Sequence, residues 1–383
     1  MGIGGSVASG FEPVREAFEE NFRSRGELGA AFAVHRGGEL VLDLWGGVTT
    51  ADGGEPYTDR TLQMVASATK GAMAICVLRL VEAGKVDPDE PMATYWPEFG
   101  AAGKDGVSVA DALAHRAGVP YLDRPLDLDA IEAWHPPAEA LAAQAPAWEP
   151  GTRHGYHALT HAWLVGELIR RVDGRSPGRY FAEEVAEPLG LDLHVGLPES
   201  EHGRVAPLRL AERPEGEPPD EFTARMLDPT SIAFRAFFVA SGLFGWINDP
   251  QLWRSELPSA NGMGTAHSLA RMYAACLGEV DGVRLLGSET LERATAVAAA
   301  GVDEVTGYET RYGLGFQLPF PFRPMAGPGS FGHYGLGGSV GFADQRRGLA
   351  FGYSVNQMGP ATPADARSVA LVEAVVRCVE GGA

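Results

Sequence analysis

Ser67 and Lys70 stand three residues apart, in the run Ser67-Ala68-Thr69-Lys70 (S-x-x-K), where a long apolar segment begins. On a helix that spacing puts both side chains on one face, within contact range. A serine hydroxyl is a weak nucleophile and needs an adjacent base. A lysine serves as that base only where burial or a neighbouring positive charge depresses its pKa. A helix start adds the free backbone N–H of Ser67 and a favourable dipole, both suited to an oxyanion. The chemistry implied is acyl transfer through a covalent serine intermediate. The competing reading is an accidental match at a surface lysine. Against it, the chain has 17 serines and three lysines (Lys70, Lys85 and Lys104), so chance supplies only about 0.1 such pair. The residues around Lys70 are also nearly all apolar, a poor setting for a solvated amine.

Two other patterns compete for attention. Gly337-Gly338-Ser339-Val340-Gly341 matches G-x-S-x-G. A nucleophile elbow of that kind needs its acid and then its histidine further along the chain, and the last histidine is His333. These glycines read instead as a place where a strand approaches a ligand or another backbone closely. His154, His157 and His161 have helix-compatible spacing, but a zinc site of the H-E-x-x-H type needs a glutamate after its first histidine, and Ala158 follows His157. No metal and no organic cofactor is expected.

The elements that must position Ser67 and Lys70 follow from periodicity. Residues 11–24 repeat apolar side chains at helical spacing. Residues 30–35 and 39–45 read as strands joined by Arg36-Gly37-Gly38, a hairpin. Residues 66–83 form an apolar helix ended by Gly84. Helical stretches follow at 109–115, 158–172, 178–187, 266–277 and 288–298, interrupted by Pro-rich loops such as 212–219. Residues 312–318, 331–334, 339–343 and 349–356 are short, Gly-punctuated and aromatic, as strands are, and 363–379 return to a helix. Strands at both ends with helices between them predict an α+β fold. Residues 1–84 and 311–383 would form an α/β domain with an antiparallel sheet and terminal helices. Residues 85–310 would form a mainly helical domain, with the active site in the cleft between them.

Composition narrows the partners. The 383 residues carry a net charge of −19, from 31 basic and 50 acidic side chains. That field opposes binding to nucleic acid or an anionic membrane, and predicts poor affinity for anionic substrates. With 45% apolar and 21% charged residues the chain can build a sizeable core. Three scattered cysteines make no disulfide framework. The N-terminal Met1–Gly10 has no basic and apolar leader pattern, and no apolar run is long enough to span a bilayer, so the expectation is a soluble, cytoplasmic protein.

Further landmarks lie in order along the chain: Leu113-Ala114-His115-Arg116-Ala117-Gly118, Trp148 through Ala158, Pro188-Leu189-Gly190-Leu191, and Gly332-His333-Tyr334-Gly335-Leu336-Gly337-Gly338. With Ser67 and Lys70, this set resembles the serine β-lactamase/penicillin-binding-protein superfamily, specifically its class C-like carboxylesterases (family VIII esterases), over residues 10–380. The resemblance implies the β-lactamase/transpeptidase-like fold, an antiparallel sheet flanked by helices plus an all-helical subdomain. It places Tyr156 as the tyrosine of the second catalytic motif. A phenol beside an ammonium is stabilised as phenolate and can relay a proton. It also implies that the N–H groups of Ser67 and Leu336 form the oxyanion hole. His333-Tyr334-Gly335 stands where β-lactamases and peptidases carry Lys-Thr/Ser-Gly, and Ala158 stands where they carry an asparagine. The loss of a fixed positive charge points to neutral esters rather than β-lactams or peptides. Tyr121 and Asn261 are expected to face the cleft, and Phe234, Phe237 and Phe238 to shape either an acyl pocket or the core. The expected reaction is therefore ester hydrolysis of a small molecule. The alternatives are an acyltransferase or amide-processing enzyme on the same fold, including a weak β-lactamase, and a non-catalytic binding protein. The oligomeric state is not readable from the sequence.

Overall fold

Strands β1 (Ile3–Val7), β2 (Gly29–Arg36) and β3 (Glu39–Gly47) come from the start of the chain, and β4 (Ser330–Tyr334), β5 (Val340–Asp344) and β6 (Leu349–Val355) from its end. In the computed structural model, which describes residues 2–210, 218–240, 242–359 and 364–381, they make one antiparallel sheet in the order β1-β3-β2-β6-β5-β4. The two ends of the chain join where β6 pairs with β2, from Leu349 opposite Arg36 to Val355 opposite Ala30. Both strands are buried almost throughout, as their predominantly apolar sequences require of strands covered on both faces.

Helices α1 (Glu12–Ser24) and α5 (Ala366–Glu380) cover one face. Val14, Phe18, Leu371 and Val375 pack there with Phe32, Val34, Phe342 and Phe351. The other face is covered by α4 (Ala266–Leu277). Gly352 makes this possible, because a Cβ there would lie 2.0 Å from the Ala266 carbonyl oxygen. The helix therefore rests directly on the strand, and Tyr273 reaches Phe331, with ring centroids 6.1 Å apart.

Two further helices frame the site, α2 (Thr69–Glu82) and α3 (His161–Asp173). Helix α2 is apolar all round and buried on almost every side, as such a helix must be. Met73, Val77 and Leu80 share one core with Leu113, Trp163 and Leu168 of the helical part and with Phe331 of β4. The boundary drawn from sequence at residue 84 thus cuts through a single core. Within the segment 85–310, expected to be mainly helical, α4 packs on the sheet. Its apolar face, carrying Leu269 and Tyr273, approaches β5 and β6 closely at Gly341 and Gly352.

The hairpin at residues 36–38 and the helix over 266–277 stand where the sequence places them. Strand β1 has no counterpart among the expected elements, and its Ile3-Gly4-Gly5-Ser6-Val7 run shows why: little in it favours a strand apart from its pairing with β3. Of the strand expected at 312–318, only Tyr312 lies in a regular strand, Glu309–Tyr312, and Gln317 bridges to Gly332 beyond it. Most of the Pro-rich loop 212–219 lies outside the described residues. Among the described residues no helix is long and apolar enough to cross a membrane.

Candidate active site

Ser67 lies in a single tight turn, Ala66–Ala68, immediately before α2 rather than inside it. Ala66 has φ of 47°, a left-handed conformation unfavourable for any residue with a Cβ. Thr69 stabilises that turn. Its hydroxyl donates to the Ala66 carbonyl at 2.6 Å and accepts the Gly262 N–H at 2.8 Å. In the sequence Thr69 is only a filler position inside S-x-x-K, with nothing to mark this role.

Lys70 is completely buried. Its Nζ lies 3.3 Å from Ser67 Oγ and donates to the carbonyls of Ala158 and Ser259, each at 2.8 Å. No carboxylate faces it, so burial alone drives its pKa well below 10.5. Two carbonyls match the two N–H bonds of a neutral amine and leave its lone pair for Ser67. Ala158, noted in the sequence for the asparagine it replaces, contributes through its backbone.

Tyr156 stands on the other side of Lys70, whose Nζ is 4.8 Å from the centre of the phenol ring. The tyrosine is 6% exposed and hydrogen-bonded to Ser67. Burial raises its pKa, with the Ser67 bond and the charge of Arg323 acting in the opposite sense. The expectation of a stabilised phenolate is therefore corrected. Burial lowers the pKa of Lys70 and raises that of Tyr156, so each is shifted toward its neutral form.

Asp303 holds the Tyr156 backbone, a role absent from the sequence reading. It is fully buried, and its Oδ1 accepts the N–H groups of Tyr156 (3.1 Å), Val305 (2.9 Å) and Thr306 (2.8 Å). Burial raises its pKa, and those backbone donors oppose the rise. The signal available was Asp303-Glu304-Val305-Thr306-Gly307, an Asx-turn sequence. Behind the Tyr156 ring lies a set of neutral imidazoles. His115 is 5.0 Å from it and His333 6.0 Å, centre to centre. His157 accepts the Val119 N–H at Nε2 (3.1 Å), so its Nδ1 carries the proton and donates to Gly155 O (2.7 Å). Burial pushes its pKa down to about 3. His154 bonds Thr310 at 2.8 Å. These histidines hold the tyrosine segment in place.

The beta-lactamase family profile matches residues 14–375 of the chain. The protein belongs to the beta-lactamase family. It is 35% identical over 366 residues to "Esterase/beta-lactamase LipL" of Mycobacterium tuberculosis, covering 92% of this chain and 83% of that one. Among solved structures it is similar to a family VIII carboxylesterase (TM-score 0.90, 37% identity, 99% of this chain and 100% of that one). It is similar also to a penicillin-binding-protein homologue from Caulobacter crescentus (TM-score 0.87, 40% identity, 99% and 100%). EstA from Arthrobacter nitroguajacolicus matches with TM-score 0.89 and 32% identity, over 99% and 100%.

The family's third motif occupies the end of β4, and its residues divide between roles. Gly335 lets the strand meet the Ser67 turn, because a Cβ there would lie 2.3 Å from the Val65 carbonyl. Leu336 then lines the cleft beside Ser67, and among the described residues its N–H has no intramolecular acceptor. Tyr334 also lines the cleft. His333 does not. It is 1% exposed, and its Nδ1 is bonded to the Tyr334 carbonyl at 2.7 Å. Burial drives its pKa well down, so it is neutral, but it packs behind Tyr156 instead of meeting a substrate. Alternation along a strand explains this, since His333 and Tyr334 must face opposite ways.

Tyr121 and Asn261, both expected to face the cleft, are placed differently. Tyr121 borders neither pocket at Ser67, and its ring is covered by the Arg235 guanidinium at 3.5 Å. Asn261 borders the cleft, but its amide is engaged within its own loop. It donates to Leu252 O and Ser255 O and accepts from Leu257 N–H, at 2.7, 2.6 and 2.9 Å. Of the three phenylalanines only Phe237 reaches the site, where it borders both pockets, while Phe234 and Phe238 stack on each other at 4.8 Å. Ser339 of the G-x-S-x-G match is buried in the turn between β4 and β5, its carbonyl accepting the Gly335 N–H at 2.7 Å.

Proposed function

We propose that the protein hydrolyses carboxylic esters through an acyl-enzyme on Ser67. The observation that carries this is the environment of Lys70: a buried amine with two carbonyl acceptors and a hydroxyl at 3.3 Å. Its lone pair takes the Ser67 proton as Oγ attacks the ester carbonyl. The developing oxyanion lies between the N–H groups of Ser67 and Leu336, fixed dipoles that need no reorganisation. Tyr156, kept protonated by burial, donates to the departing alcohol oxygen and is reprotonated from Lys70. Water then cleaves the acyl–Ser67 ester by the reverse sequence. None of His333, Tyr334 and Gly335 is the lysine that β-lactamases and peptidases carry at this place, which favours an ester over a substrate that needs it. The names of the similar proteins, carboxylesterase and esterase among them, support the same reading.

The test uses p-nitrophenyl butyrate and a fluorophosphonate probe. The parent protein should turn over the ester and take one probe molecule. Ser67→Ala should lose both, with kcat down by at least about 10⁴-fold. Unchanged turnover by Ser67→Ala would refute the nucleophile.

A further inference from the structure

Two pockets meet at Ser67, and they are unlike. One is apolar, with Leu159, Leu208, Phe244, Ile247 and Met358 among its walls. The other contains Tyr156, Tyr334 and Arg323. The Arg323 guanidinium carbon lies 5.2 Å from the Tyr334 ring centre, and Arg323 lines the same pocket as Ser67 and Tyr156. No Asp or Glu lines this pocket, and among the described residues Arg323 has no carboxylate partner. Many arginines elsewhere are paired, as Arg175 is with Asp173, Glu183 and Glu184; others without a carboxylate, such as Arg15 and Arg284, donate to backbone carbonyls instead. In a chain with 50 acidic and 31 basic residues, an arginine left without a carboxylate beside the nucleophile is a site for a carboxylate from outside.

Which half of the substrate carries that carboxylate follows from the proton path, so this inference rests on the hydrolase reading above. Tyr156 borders the Arg323 pocket and not the apolar one. The alcohol oxygen must face its proton donor, which puts the alcohol beside Arg323 and the acyl chain in the apolar pocket. We propose that Arg323 is a specificity residue selecting esters whose alcohol portion bears a carboxylate, that is, acylated hydroxy acids. Ser67 Oγ bonds to the acyl carbon as the bond to the alcohol oxygen breaks. That oxygen takes the proton lost by Ser67, relayed by Lys70 and Tyr156. Water then releases the acyl group as a carboxylic acid and restores the hydroxyl. The net charge of −19 argues against anionic substrates in general, but a local cation in a low-dielectric cleft outweighs distant, screened charge.

The experiment compares 4-butyryloxybenzoate with its neutral methyl ester, for the parent protein, Arg323→Gln and Arg323→Lys. The ratio of kcat/KM for the charged ester to that for the neutral one should fall about tenfold in Arg323→Gln, mainly through KM of the charged ester. Arg323→Lys should keep part of the preference, and added salt should erode it in the parent. A ratio in Arg323→Gln within about twofold of the parent's overturns the proposal while leaving ester hydrolysis intact. Failure of the parent to cleave either ester overturns both readings together.

Discussion

The protein buries two of its three lysines completely, and only one of them faces a hydroxyl. Lys104 donates to three backbone carbonyls, those of Ala101 (2.8 Å), Ala142 (3.1 Å) and Gln144. Three acceptors match the three N–H bonds of an ammonium and leave no lone pair. Lys70 has two carbonyls and Ser67. Burial lowers the pKa of both amines, far more at Lys70. Depth alone therefore does not make a base. The acceptors around the nitrogen separate an amine with a hydroxyl beside it from one whose three N–H bonds are all taken by carbonyls.

The largest expected effect breaks that comparison in two directions. Lys70→Met should lower kcat by about 10³-fold or more, and it should also cost stability, because it strands the buried carbonyls of Ala158 and Ser259. Lys104→Met should keep ester turnover but lose about 3 kcal/mol of stability, since it strands buried carbonyls. Urea titration and steady-state rates on both variants check this. Equal losses of activity would show that the two amines do the same work.

Tyr156→Phe comes next. Removing the hydroxyl should cost about 10²- to 10³-fold in kcat, and fluorophosphonate labelling should persist at a reduced rate. Full loss of labelling would make the phenol part of the nucleophile's activation rather than of leaving-group protonation.

The pH profile sharpens the contrast further. A protonated Lys70 has no lone pair, so kcat/KM should rise with pH as the amine deprotonates, by about tenfold per unit on the acid limb. That limb should lie far below the ordinary lysine value of 10.5, because burial depresses Lys70. Tyr156 is shifted upward, so loss of its proton should not cut activity at moderately alkaline pH. Activity that is maximal in acid and declines toward neutrality would contradict a lysine base.

The smallest effect concerns the turn. Thr69→Val removes the donor to Ala66 and the acceptor for Gly262, and should cost about 2 kcal/mol and a several-fold loss in kcat with little change in KM. Thr69→Ser should restore both. A fall in stability without the selective fall in kcat would reduce Thr69 to ordinary packing.

The serine, the lysine and their common face are legible in the sequence, because i and i+3 positions meet on any helix. The family follows from ordered landmarks, and the sheet from apolar runs at both ends of the chain. Contacts between distant segments are not legible there. Asp303 supports Tyr156 across 147 positions, and the Ser259 carbonyl reaches Lys70 across 189. Position in a motif places Tyr121 and His333 in the cleft. The fold turns them elsewhere, Tyr121 under Arg235 and His333 behind Tyr156. Arg323 carries no sequence signal at all, since one arginine among many reveals its missing partner only when its neighbours are known.

Residue type and local spacing by themselves determined which atoms could form and break an acyl bond. Tertiary packing alone decided the direction in which their proton affinities shift and what stands around them, because desolvation and the count of nearby acceptors depend on segments far apart along the chain.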